Sequence, residues 1–68
     1  MDDFHRQRMN IRASLAANAE YIRKRSERLA RLAHNRASRI VEDLKRNIAG
    51  AQSHRLFLLG MLREIESA

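Results

Sequence analysis

The chain has no cysteine, no proline and no tryptophan, and only two glycines in 68 residues. The lack of cysteine excludes a disulfide or thiolate–metal staple, which small scaffolds often need. With no proline at all and no glycine before Gly50, the first 49 residues contain no strong helix breaker. Aromatic residues make up 4% of the chain, so the aromatic interleaving by which single-strand binders stack bases is missing. The longest near-apolar run, Leu56 to Leu62, spans seven residues, whereas a membrane helix needs about 20. Asp2, Asp3, His5, Arg6 and Arg8 crowd the start, which does not read as a signal peptide. The expectation is a soluble, cytoplasmic protein that makes no membrane contact.

Catalytic means are equally sparse. There is no glycine-rich phosphate loop, and His5, His34 and His54 lack metal-ligand spacing. An approach of His34 to His54 across a hairpin would make a pH-sensitive spot at most. Glu42 and Asp43 point about 100° apart on a helix, and no serine has a histidine–acid arrangement around it. With two glycines and almost no loop, the chain has little means of building a concave pocket. The sequence predicts no enzymatic activity, no metal, no cofactor and no small-molecule substrate.

What the chain has in excess is positive charge. Fourteen basic residues against eight acidic ones give a formal net charge of +6, an argument for attraction to polyanions. Twelve of the fourteen are arginine, which a GC-rich genome would also favour without selection for binding.

The second thing present is a helical pattern of unusual length. Phe4, Ile11, Leu15, Ala19, Ile22, Ser26, Leu29, Ala33, Ala37, Ile40, Leu44 and Ile48 recur at helical spacing, with Asp3 as the candidate N-cap. The pattern predicts an all-α protein whose first helix runs from about residue 3 to 49. At 1.5 Å per residue it would be roughly 70 Å long. Ile11 to Ile48 makes ten steps over 37 residues. The mean of 3.7 fits a nearly straight or slightly right-handed pair better than a 3.5-residue leucine zipper.

Gly50 is the local breaker, with Ser53 available as the next N-cap. A turn at about 50–53 and a second helix at about 54–67 would complete a helical hairpin. Ala51, Leu58, Leu62 and Ile65 also continue the stripe in phase with Ile48, so an uninterrupted helix is the alternative. The hairpin is favoured because Leu56 to Ile65 are apolar around most of the circumference, as in a buried helix. Folded back, this segment would cover Ile40, Val41, Leu44 and Ile48. The N-terminal stripe would then need a second copy. The expected oligomer is a homodimer, coiled-coil-like or a four-helix assembly, with Ile11, Leu15, Ile22, Leu29, Ile40, Leu44 and Ile48 in the interface. A 68-residue chain buries only about 60% of the surface its unfolded form exposes, which also argues for oligomerisation.

Two surfaces are candidates for function. Arg6, Lys24, Arg28, Arg31, Arg39 and Arg46 fall within about 80° of one helix face, with Tyr21 beside them. Arginine forks match phosphate oxygens in bidentate geometry. The plain alternative is a solvated face partly neutralised by Glu20–Lys24, Glu27–Arg31 and Glu42–Arg46 pairs. The block Arg23-Lys24-Arg25 is dense, but its side chains scatter around a helix. The other surface is Leu56 with Phe57, off the main stripe and suited to docking. The leading expectation is a small regulatory or adaptor protein that binds a partner protein through the surface of a helical dimer. The alternatives are a basic module that binds RNA or DNA, and a structural subunit of a larger assembly.

Overall fold

The structure, a computed structural model, describes residues 3–32 and 39–67. They form two helices of 29 residues each, α1 (Asp3–Arg31) and α2 (Arg39–Ser67), packed together as a hairpin 52 Å long and about 15 Å across. There is no strand among the described residues. The cross-helix contacts fix an antiparallel register. The Asn18 amide donates to the Ala51 carbonyl at 2.9 Å, and Arg55 to the Leu15 carbonyl at 3.4 Å. Near the open end, Arg12 and Glu66 form a 3.2 Å ion pair.

The chain reverses between Leu32 and Arg39, not at 50–53, and α1 is 18 residues shorter than a helix reaching 49. Gly50 lies inside α2, and no described residue, glycine included, has positive φ. The physical reason is one of magnitude. A mid-helix glycine costs about 1 kcal/mol, less than one buried leucine returns, and the α2 stripe runs past Gly50 in phase. Two helices of equal length also cover each other along their whole extent, whereas a 47-residue helix would leave half its stripe bare. Residues 54–67 therefore do not cover Ile40, Val41, Leu44 and Ile48, since all belong to one helix. They pack on the first half of α1.

The seam is a heptad. Every described residue of α1 that is not exposed falls in the series Arg8, Ile11, Leu15, Asn18, Ile22, Arg25, Leu29, with Leu32 just beyond the helix end. In α2 the series is Val41, Leu44, Ile48, Ala51, Arg55, Leu58, Leu62, Ile65. Each makes seven steps over 24 residues, a mean of about 3.4, the spacing of left-handed coiled coils. The expected 3.7 repeat is corrected accordingly. It took Ala19 and Ser26 as seam residues, and both are exposed. Ala33 and Ala37, also in that stripe, lie outside the described residues, as does His34.

The core is thin. Among the described residues only Ile11, Val41, Leu44 and Leu58 are buried apolar side chains, and Asn18 is buried with them. Arg8, Arg25 and Arg55 hold three further seam positions, half-buried. Arginine is tolerated there because its aliphatic stem can lie along the seam while the guanidinium reaches out. Arg55 reaches a carbonyl in this way, and Arg25 places its guanidinium 3.6 Å from the centre of the Tyr21 ring.

Candidate functional site

The expected basic row does not survive as one helix face, because the chain reverses within it. Arg6, Lys24, Arg28 and Arg31 stay on α1, while Arg39 and Arg46 lie on α2. Folding back gathers most of the row again in another form. The register that sets Leu15 beside Arg55 sets Arg31 level with Arg39 and Lys24 level with Arg46. Arg6 is left near the open end of the hairpin, away from the others. Residues 20–31 and 39–50 carry eight basic and four acidic side chains, against five and three in 3–19 and 51–67. The half of the hairpin next to the chain reversal is the more positive half.

The heptad explains the local grouping on α1. Tyr21 and Arg28 are seven residues apart on one shoulder of the seam, and Lys24 and Arg31 are seven apart just outside it. All four are exposed. Ion pairs neutralise this half unevenly. Arg23 bridges Glu20 and Glu27. Lys24 lies 3.9 Å from Glu20, Lys45 3.8 Å from Glu42, and Arg46 3.9 Å from Asp43. The expected Glu27–Arg31 and Glu42–Arg46 pairs are replaced by Glu27–Arg23 and Asp43–Arg46. Arg28, Arg31 and Arg39 make no ion pair among the described residues. The hydrogen bond from Arg23 pulls the Glu20 carboxyl below its ordinary range, and the same bond raises Arg23. Tyr21 is partly engaged, since Arg25 covers one face of its ring.

A groove of about 590 Å³ runs along this shoulder towards the middle of the hairpin. Ser14, Asn18, Tyr21, Arg46, Asn47 and His54 line it, together with the small residues Ala17, Gly50 and Ala51. Asn18 is 8% exposed, and its Oδ1 is buried without a hydrogen-bond partner. A polar side chain placed this way in a seam fixes register more than it adds stability. Sequence reasoning missed Asn18 and Arg25 as seam residues. The signal was their seven-residue spacing from Ile11.

Of the expected oligomer interface, Ile11, Leu15, Ile22, Leu29, Leu44 and Ile48 are used within the chain, in the seam. Ile40 is 50% exposed and stands outside it. The cause is that of the displaced turn: within the hairpin, α2 packs on the stripe that was expected to meet a second copy. Leu56 and Phe57 lie off the seam and are 71% and 62% exposed, with His54 stacked on Phe57 at 6.2 Å. Among the described residues no group of three His, Cys, Asp or Glu could hold a metal ion, and no helix is long and apolar enough to cross a membrane. Comparison of the chain with protein-family models, with characterised proteins and with solved structures finds no match.

Proposed function

We propose that this hairpin is a non-enzymatic binding module and that its target is nucleic acid, held through phosphates at the basic half. The observation that carries the reading is the return of Arg39 to the level of Arg31, with Arg28, Arg31 and Arg39 free of ion pairs among the described residues. Exposed guanidinium groups without a carboxylate partner keep their bidentate geometry available for phosphate oxygens. Lys24 adds a point charge beside them. The contacts are to backbone phosphate, so affinity would come from counterion release and carry little sequence preference.

Charge reversal at Arg28, Arg31 and Arg39 tests this. The triple variant should lose binding to RNA and duplex DNA at least tenfold and keep the far-ultraviolet circular dichroism of the wild type. RNA and DNA arms separate the two phosphate sources. Equal capture of polyglutamate would point to an acidic protein instead and would count against the nucleic-acid reading.

A second reading, a regulatory or adaptor protein that docks on a partner protein, is favoured by the exposure of Leu56 and Phe57. It makes the opposite mutational prediction. Charge reversal would be silent, and Phe57→Ala would remove partner binding.

A further inference from the structure

The outward side of α2 raises a question that the hairpin alone does not answer. Away from its seam lie Ala49, Gly50, Ser53, Leu56, Phe57 and Gly60, all exposed, with Gly50 also bordering the groove. Both glycines are in the helix interior, where each costs about 1 kcal/mol relative to alanine. Neither has positive φ, and a Cβ placed on either would meet nothing within 4 Å. Nothing inside the hairpin requires glycine at 50 or 60. Between them stand the two most exposed large apolar side chains among the described residues, Leu56 and Phe57. Small residues flanking a bulky pair are what close approach of another helix demands.

We infer that the outer face of α2 binds the outer face of α2 in a second copy, antiparallel, with a two-fold axis between Leu56 and Phe57. Ser53, Leu56, Phe57 and Gly60 stand at positions i, i+3, i+4 and i+7, the four corners of a hole that accepts one knob from a facing helix. With the axis at 56–57, Phe57 of one copy enters this hole in the other, and Ser53 lies opposite Gly60. The face is its own complement, as a two-fold contact requires. A parallel pair would set Phe57 against Phe57 and glycine against glycine, and would fill neither.

Charge is compatible with the same orientation. Between 46 and 67 the outward positions carry only three charges: Arg46 towards one end, and Arg63 and Glu64 towards the other. Antiparallel pairing brings Arg46 of each copy, which also lies 3.9 Å from Asp43 of its own helix, within about one turn of both Arg63 and Glu64 of the other, a repulsion and an attraction that offset. Glu64 otherwise sits near a helix C-terminus, which disfavours negative charge. One helix strip is a small interface, so the association belongs at the weak end of specific contacts.

The test uses the full chain and its lack of cysteine. Sedimentation equilibrium over a concentration series should show a monomer–dimer equilibrium in the micromolar range. Phe57→Glu should weaken it at least tenfold with helicity retained, because Phe57 is exposed in the hairpin. Gly60→Leu should also weaken it at least tenfold, while the helicity of the dilute monomer stays equal or rises. A monomer throughout the series, or a dimer indifferent to both variants, overturns the proposal. Oxidising a mixture of Ser53→Cys and Gly60→Cys chains should give the mixed disulfide. Preferential Ser53→Cys self-crosslinking would instead show a parallel pair and overturn the antiparallel one.

Discussion

Asn18 shows how a single residue can work against stability and for specificity. Its amide nitrogen is satisfied by the Ala51 carbonyl, but its Oδ1 is buried without a partner, and such an atom costs about 1–3 kcal/mol. Asn18→Leu removes that cost and extends the apolar seam. The expected outcome is a higher midpoint in urea, read by circular dichroism, with a less strictly defined register. Leu44, 4% exposed, behaves conventionally. Leu44→Ala should lower stability by about 2–5 kcal/mol, as for other buried leucines, and the same urea titration measures it. Glu20 supplies the pH dependence that the structure supports. Its carboxyl is held below the ordinary range by Arg23, so the unfolded chain binds its proton more readily than the folded one. The contribution is complete above the unfolded carboxylate pKa and is lost as pH falls through the lowered folded value. A pH titration of helicity should show this small acid-side loss in the wild type and its reduction in Glu20→Gln.

At the scale of the elements, the governing fact is that both helices follow one heptad. That the molecule is helical was legible from the absence of proline and from the apolar stripe. The hairpin was expected from the apolar circumference of residues 56–65, of which the structure buries Leu58 and half-buries Leu62 and Ile65 while Leu56, Phe57, Leu59 and Met61 stay exposed. The position of the reversal was not, because Gly50 is the most conspicuous breaker in the sequence and the structure runs a helix through it. The stretch 33–38 carries quieter signals, Asn35 and Ser38, residue types favoured in turns and at helix N-caps. The repeat was misread because Asn18, Arg25 and Arg55 hold seam positions. A search for apolar residues passes over Asn18 and Arg25 to Ala19 and Ser26, and the period is stretched where the count runs on from Leu29 to Ile48 as if one helix joined them. The basic face was legible as residues and not as an arrangement, since Arg39 reaches Arg31 only once the reversal is placed correctly. Leu56 and Phe57 fall off the stripe, yet the hairpin was favoured on the expectation that folding back would bury such residues, and both are exposed. Gly50→Ala supplies a check at this scale. With no neighbour within 4 Å and no positive φ, it should raise helix stability by about 1 kcal/mol, seen as a higher thermal midpoint. A glycine forming a turn would give the opposite sign.

The whole molecule is a rod with chemically distinct halves: a basic half beside the reversal, and an open half where α2 turns Leu56 and Phe57 outwards. Pairing two rods through α2 would set the basic halves at opposite ends, with the two Arg39 positions about 50 Å apart at 1.5 Å per residue. Such a dimer could hold two strands or two points on one strand, and linked sites of this kind gain avidity without any new contact. The central claim, that the basic half binds nucleic acid through phosphates, is tested most directly with a duplex short enough to reach one end only. The measurement is its affinity for the intact chain across a series of salt concentrations. Four contacts, from Lys24, Arg28, Arg31 and Arg39, predict a slope of roughly −3 to −4 in log affinity against log salt. A flat dependence, or no binding at low salt, would contradict the account.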